Sequence, residues 1–142
     1  MSSIVEWYLI DKNYRDLVDE VYAYKTFIDD GYLYFEERKN ISKCNICEST
    51  LCKLKEIEKH VLSKSNTSYI QKICVGYGKN DICACRALNA DEFCFVRKNF
   101  TLHELISKNT YYKSMIKGNI MYWDDGLDLT ENLKRILNPD IY

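Results

Sequence analysis

The chain has 142 residues and a mass of 16.8 kDa, the size of one domain that can bury a core without cross-links. Hydrophobic residues make up 46% and charged residues 29%, with one proline and five glycines, which excludes a disordered or fibrous chain. The formal net charge is −1, yet residues 44–118 hold twelve basic and seven acidic side chains (net +5), while residues 1–43 and 119–142 each have a net charge of −3.

The amino-terminal segment lacks a basic stretch followed by a sustained apolar run, and no window approaches the roughly 18 apolar residues that a membrane span needs. We therefore expect a soluble protein of the cytoplasm or nucleus with no membrane partner. In such a reducing compartment, the seven cysteines are expected to be buried or to bind metal, and not to form a disulfide framework.

The first 43 residues are predicted to be mainly helical. Ser3 and Glu6 have the spacing of a capping box, which predicts a helical turn or two through "IVEWYLI". Apolar residues then recur at steps of three and four, predicting a helix over residues 12–29 that stops at Gly31. The aromatic segment "YLYFEER" after it predicts a short strand.

The middle of the chain combines one helix with several strands. Ser49 or Thr50 is a plausible cap for a helix that begins after the first cysteines, with Glu56 facing solvent, and a polar loop follows at residues 63–68. Beyond the loop, the turn sequences "GYGKND" and "LNAD" separate short apolar segments. We expect these segments to form antiparallel strands, at Tyr69–Val75, Ile82–Arg86 and Glu92–Val96.

The last third is predicted to be mostly helical. Thr101 and Glu104 have capping-box spacing at the start of one helix that closes at Gly118. "IMYW" predicts a strand and "DDG" a turn, and a short helix at about residues 130–137 ends before Pro139.

These elements predict a single compact α+β domain over residues 1–142, with three to four helices and a small antiparallel β element. Within it we distinguish a helical part at 1–43, a cysteine-rich part at 44–96 and a second helical part at 97–142.

The cysteines favour one structural zinc ion that stabilises this domain. Cys44 and Cys47 form a Cys-x2-Cys pair, the tight turn that supplies two of the four ligands of a tetrahedral zinc. We predict Cys83 and Cys85 as the other two, which requires a turn or bulge at "DICAC", since residues two apart on a regular strand face opposite ways. The reserve ligands are Cys74, Cys94 and His60.

Two alternatives for the cysteines stay open. Cys52, Cys74 and Cys94 lie among apolar residues and are expected to be core. Cys47 precedes a predicted helix, where the helix dipole favours a thiolate, so a thiol oxidoreductase is conceivable, although the parallel strand and helix that usually flank such a pair are not visible.

The segment "CNIC" resembles the opening of RING-type zinc fingers. With its length and many tyrosines, the chain is similar to small RING-like or diverged zinc-finger proteins of large insect DNA viruses. The resemblance implies a zinc-binding viral protein, with ubiquitin-ligase activity as an alternative. The chain lacks the Cys-x-His centre and the further Cys-x2-Cys pairs of a two-zinc RING domain.

No P-loop, dinucleotide-binding or metalloprotease motif occurs. We therefore predict a non-enzymatic, regulatory protein that binds another protein. The alternative is a nucleic-acid-binding regulator that uses the basic segment at 86–117. Its expected contact residues are Arg97, Lys98, Lys113 and Lys117.

Overall fold

The computed structural model describes residues 3–36, 43–63 and 71–138. These residues form two compact units: the smaller comprises Met1–Cys44 and Ser49–Leu51, and the larger comprises Asn45–Glu48 and Cys52–Tyr142. Helices and strands occur in both, so the predicted α+β class is confirmed, while the single domain stays a prediction. Residues 64–68 of the predicted loop and Pro139 lie outside the described residues.

Among the described residues, every helix is too short or too polar to cross a lipid bilayer.

The smaller unit begins with helix α1, Ile4–Asp11. Its predicted capping box is confirmed: the Glu6 N–H donates to Ser3 Oγ at 3.2 Å, and the Ser3 N–H donates to Glu6 Oε2 at 2.8 Å. A single 3-10 turn, Arg15–Leu17, follows. The two hydrogen bonds between Ser3 and Glu6 each satisfy an N–H group that would otherwise lack a partner at the start of α1.

The helix predicted over residues 12–29 is wrong, because this segment consists of the 3-10 turn, irregular stretches and, from Lys25, the first strand of a β-hairpin. Strands β1, Lys25–Asp29, and β2, Tyr32–Glu36, pair antiparallel. Asp30 and Gly31 connect them with φ angles of 46° and 77°. Two successive residues with positive φ make the tight turn that matches the twist of paired strands, and Asp-Gly is a preferred sequence for it. The predicted strand after Gly31 is confirmed over β2.

The larger unit is built around a three-stranded sheet in the order β3-β4-β5, with both strand pairs parallel. Its strands are β3, Ile73–Gly76; β4, Phe93–Arg97; and β5, Asn119–Trp123. Its helices are α2, Lys53–Ser63; α3, Asp81–Cys85; α4, Thr101–Lys108; α5, Thr110–Ser114; and α6, Gly126–Leu137.

The predicted antiparallel arrangement is wrong because the segment expected as its second strand is helix α3. This helix lies between β3 and β4, and α4 and α5 lie between β4 and β5, so each pair of neighbouring strands is joined by a helical crossover. Cys94, Phe95 and Val96 are consecutive and all buried, as expected for a parallel strand covered on both faces.

Three helix boundaries also differ from prediction. The helix predicted from Thr101 to Gly118 is interrupted at Asn109, whose φ of −135° is extended and whose side chain accepts the N–H of Tyr111 as the cap of α5. Phe100, not Thr101, occupies the cap position of α4, without a side-chain cap bond. Helix α6 begins at Gly126 because Asp125 Oδ1 accepts the N–H groups of the next turn.

Helix α2 is confirmed but begins at Lys53, after the predicted caps, so Cys52 takes the cap position, where its carbonyl accepts the Glu56 N–H at 3.1 Å. Glu56 is buried, and not exposed as predicted. The start of α2 is therefore fixed at the residue that follows a buried cysteine.

Candidate functional site

The turn after strand β3 is closed by its own carboxylate. Asp81, the first residue of α3, accepts the N–H groups of Tyr77 and Gly78 on Oδ2, each at 2.8 Å. Gly76 leaves room for this arrangement, since a Cβ there would come within 2.5 Å of Asp81 Cβ. The carboxylate is buried and held by backbone donors at the carboxyl end of a parallel strand, where ligands bind in open sheets of this kind.

Lys53 pairs with this carboxylate from the start of helix α2. The side chain of Lys53 is 51% exposed and that of Asp81 is 5% exposed. An ammonium group has three N–H donors, so Lys53 can contact Asp81 and still donate to an anion arriving from solvent. The turn thus holds a positive charge at an accessible position.

Sequence reasoning missed both members of this pair. It interpreted "GYGKND" as a turn between two antiparallel strands. The available signal was a Gly-x-Gly turn after an apolar strand, with an aspartate positioned to close it at the start of a helix.

A second ion pair lies where strands β4 and β5 end. Lys98 Nζ is 2.6 Å from Asp124 Oδ2, and the Lys98 N–H donates to the Trp123 carbonyl at 2.9 Å. The Asp124 carboxylate stabilises the charged ammonium and raises the pKa of Lys98 above its ordinary value. The Leu102 N–H, at the start of α4, donates to the Tyr77 carbonyl at 2.9 Å and joins this edge to the turn after β3.

The four residues predicted to contact nucleic acid have different surroundings. The Arg97 guanidinium lies over the rings of Phe100 and Trp123, at 4.3 and 5.1 Å from their centroids, and Lys98 pairs with Asp124. Lys113 and Lys117 are exposed, in and beyond the short helix α5.

The cysteines of the larger unit fall into two groups. The sulfurs of Cys47, Cys52 and Cys83 lie within 4.8 Å of one another, and so do those of the second group, Cys74, Cys85 and Cys94. Cys83 and Cys85, predicted to share one ion, are in different groups, because residues two apart on a helix such as α3 face different directions. Cys44 belongs to the smaller unit, and His60, on α2, is in neither group.

The second group belongs to the core of the sheet. Cys74 and Cys94 are register partners on neighbouring strands, and Cys74 Sγ is 3.5 Å from Cys85 Sγ. Hydrogen bonds from Cys85 and Cys94 lower the pKa of Cys74 below that of an ordinary thiol. The bond to Cys74 raises the pKa of Cys85, so a proton on Cys85 is held between two sulfurs.

Comparison with known proteins places the chain among phosphatases. The family model described as Putative Phosphatase matches residues 2–137. The human "Pyridoxal phosphate phosphatase PHOSPHO2" is 26% identical over 141 residues, covering 96% of this chain and 57% of that protein. From Arabidopsis thaliana, "Inorganic pyrophosphatase 2" is 30% identical (74% of this chain, 37% of that protein), and "Thiamine phosphate phosphatase-like protein" is 31% identical (87% and 51%). No solved structure matches the chain significantly.

The chain spans about half the length of these curated relatives. The family match nevertheless overturns several predictions. The resemblance to RING-like viral zinc fingers is wrong, because the matched family is a different one and covers nearly the whole chain. The predicted non-enzymatic regulator, with a protein or nucleic acid as its partner, is wrong for the same reason, since the family and its relatives are enzymes that act on phosphate compounds. The chain belongs to the Putative Phosphatase family.

Proposed function

We propose that this chain is part of a phosphatase and that Lys53 binds the phosphoryl group of its substrate. The observation that carries the proposal is the Lys53–Asp81 ion pair at the carboxyl end of β3. The relatives are named for pyridoxal phosphate, thiamine phosphate and inorganic pyrophosphate. These compounds share a terminal phosphoryl group, so the proposed substrate class is a small phosphate monoester or a diphosphate.

The chemistry of the pair suits a phosphoryl group. The transition state of phosphoryl transfer spreads negative charge over three equatorial oxygens, and a positioned ammonium stabilises that charge. Asp81, fixed by the Tyr77 and Gly78 N–H groups, holds the Lys53 ammonium in place. Asp81 is therefore a positioning residue, and Lys53 is the residue that contacts the substrate.

A metal-binding role is compatible with the described residues, and phosphatases of this kind usually use Mg²⁺. Mg²⁺ requires oxygen donors, and within the described ranges both clusters of three or more candidate ligands consist of cysteine. We infer that these cysteine clusters suit a thiolate-bound zinc ion and not Mg²⁺, and we assign no catalytic step to that zinc.

Phosphate release measured with pyridoxal 5′-phosphate, thiamine phosphate and pyrophosphate tests the main proposal. Lys53→Met should lower kcat/KM at least about 100-fold, the effect of losing one preorganised charge contact in the transition state. Lys55→Met is the matched control, because Lys55 lies on the same helix and is exposed, and it should retain wild-type activity.

Binding of inorganic phosphate, measured by titration calorimetry, gives a second readout that does not require turnover. Wild-type and Lys55→Met protein should bind phosphate, and Lys53→Met should bind it at least about tenfold more weakly, from the loss of one charge-assisted hydrogen bond. A wild-type chain that neither hydrolyses these compounds nor binds phosphate contradicts the proposal, and so does equal phosphate binding by both variants.

A further inference from the structure

Three buried sulfurs converge next to the Lys53–Asp81 pair. Cys47, Cys52 and Cys83 are 3%, 2% and 0% exposed, and their sulfur atoms lie within 4.8 Å of one another. A tetrahedral zinc with Zn–S bonds of about 2.3 Å separates its sulfurs by roughly 3.8 Å. Small side-chain rotations therefore suffice to bring these three sulfurs into contact with one ion.

The three cysteines come from three different elements. Cys47 lies in the turn that precedes α2, Cys52 is at the cap position of α2, and Cys83 is in α3. Cysteines 31 residues apart in sequence thus meet at one point, and the convergence is a feature of the fold and not of local sequence spacing.

The geometry points to a zinc site formed by Cys47, Cys52 and Cys83, three of the four ligands that a tetrahedral zinc takes. Thiolate sulfur selects zinc over the hard cations Mg²⁺ and Ca²⁺. Binding releases the thiol protons to solvent and forms Zn–S bonds without a change of oxidation state, so no further reactant is needed.

The second cysteine group is not an equivalent site. Its members are Cys74, Cys85 and Cys94, of which Cys85 and Cys94 are fully buried and Cys74 is partly exposed. Cys74 and Cys94 are register partners within the sheet, and Cys74 Sγ lies 3.5 Å from Cys85 Sγ. Buried cysteines such as Cys85 and Cys94 behave as small apolar residues.

The zinc site connects the two elements that carry the ion pair. Cys52 immediately precedes Lys53, and Cys83 follows Asp81 by two residues. An ion bound to both cysteines fixes the start of α2 against α3 and so fixes the Lys53 ammonium relative to the Asp81 carboxylate. This consequence for activity rests on the proposed function, whereas zinc binding itself does not.

Metal analysis of the full chain, purified without a histidine tag, tests the site. We expect about one zinc per chain, and on replacement by Co²⁺ the visible absorption of a tetrahedral thiolate complex. Cys52→Ser and Cys83→Ser should lose the zinc and the cobalt spectrum. The matched controls Cys85→Ser and Cys94→Ser alter equally buried thiols of the second group and should retain the full metal content.

Wild-type protein provides a measurement that does not depend on whether a variant folds. Removal of zinc with a chelator should lower the thermal unfolding temperature, and one equivalent of zinc should restore it. A folded wild-type chain without zinc that also fails to bind Co²⁺ overturns the proposal. Loss of zinc in Cys85→Ser with retention in Cys52→Ser overturns it as well.

The two proposals fail separately. Lys53→Met should retain one zinc per chain while losing phosphate binding. Zinc loss in Cys52→Ser with unchanged phosphate affinity overturns the link between the sites and leaves Lys53 as the phosphate-binding residue.

Discussion

Lys53 and Asp81 form an ion pair whose two members lie in different environments, with side-chain exposures of 51% and 5%. Asp81 also accepts two backbone N–H groups, so its charge is compensated even without the lysine. Lys53 remains in contact with water and accessible to a ligand. The two residues therefore have different roles: Asp81 stabilises the turn, and Lys53 binds a ligand at the surface of the turn.

Substitution of Asp81 should therefore lower the free energy of unfolding more than substitution of Lys53. Asp81→Ala leaves the Tyr77 and Gly78 N–H groups without their acceptor and should lower the free energy of unfolding by about 2–4 kcal/mol. Lys53→Met removes a half-exposed charge and should cost about 1 kcal/mol or less. Urea denaturation measures both values, and equal losses would contradict this difference in roles.

Gly76 should be essential for the same turn. An added Cβ would come within 2.5 Å of Asp81 Cβ and 2.8 Å of Asp81 Cγ, so Gly76→Ala must displace the carboxylate. We expect a loss of about 1–3 kcal/mol in the free energy of unfolding, as for other overpacked sites. Phosphate binding should weaken too, since the displaced Asp81 no longer positions Lys53.

Gly126→Ala provides the matched control, because nothing lies within 4 Å of its added Cβ and the residue begins helix α6. Its free energy of unfolding should stay the same or rise by up to about 1 kcal/mol. Equal free energies of unfolding for Gly76→Ala and Gly126→Ala would contradict the prediction, because they would show that the Asp81 carboxylate can be displaced without loss of stability.

Several elements could be predicted from the sequence because a local signal determines them. Ser3 and Glu6 fix the start of α1 by their own hydrogen bonds. The 3.6-residue pattern of α2 and the aromatic pattern of β2 likewise depend only on nearby residues.

The hairpin at β1 and β2 shows where local patterns mislead. Apolar residues at steps of three and four fit a helix over 12–29, but "KTFID" and "YLYFE" flank Asp30-Gly31, and cross-strand pairs such as Phe27 with Tyr34 stabilise the strands instead. The Asp-Gly pair was interpreted as a helix stop, although it is also a hairpin turn.

The candidate site could not be predicted from the sequence either, because it depends on contacts between distant residues and not on a local pattern. Parallel pairing of β3 and β4 depends on contacts between residues far apart in sequence, and only this pairing brings their carboxyl ends to one edge. Lys53 meets Asp81 across 28 residues, and no periodicity encodes that distance. The separation of Cys83 from Cys85 likewise depends on α3 being a helix.

The hairpin turn itself should be sensitive to substitution at Gly31. Its φ of 77° lies in the left-handed region, where a side chain costs about 1 kcal/mol or more even though nothing is close to it. Gly31→Ala should therefore speed hydrogen exchange of the β1 and β2 amides about fivefold. Gly31→Asn is the control and should show a smaller increase, because asparagine tolerates this conformation. Equal exchange in wild type and Gly31→Ala would contradict the turn assignment.

Glu92 should make the stability of the larger unit depend on pH. Burial disfavours its charge, but the N–H of Asn89 at 2.6 Å, the Lys72 ammonium at 3.2 Å and the N–H of Lys72 at 3.1 Å outweigh that effect. They hold the pKa of Glu92 below its ordinary value of 4.5. The folded state therefore binds its proton less readily than the unfolded state, so the stabilisation is complete above a pH of about 4.5 and disappears as the pH falls through the folded-state pKa.

Glu92→Gln tests this dependence because it removes the charge and preserves the shape. At pH 7 the variant should be less stable than wild type by about 1–3 kcal/mol, the cost of weakening hydrogen bonds to a buried charged group. The difference in free energy of unfolding between the two proteins should narrow as the pH falls below about 4.5, since wild-type Glu92 then becomes neutral as well.

Glu104→Gln is the control. The Glu104 side chain is 59% exposed, and its nearest oxygen lies 3.4 Å from the Lys108 ammonium, which makes a weak surface ion pair. Its replacement should therefore leave the free energy of unfolding unchanged over this pH range. Urea denaturation between pH 3 and 7 measures all three proteins, and a constant difference between wild type and Glu92→Gln would show that the Glu92 carboxylate contributes no pH-dependent stability.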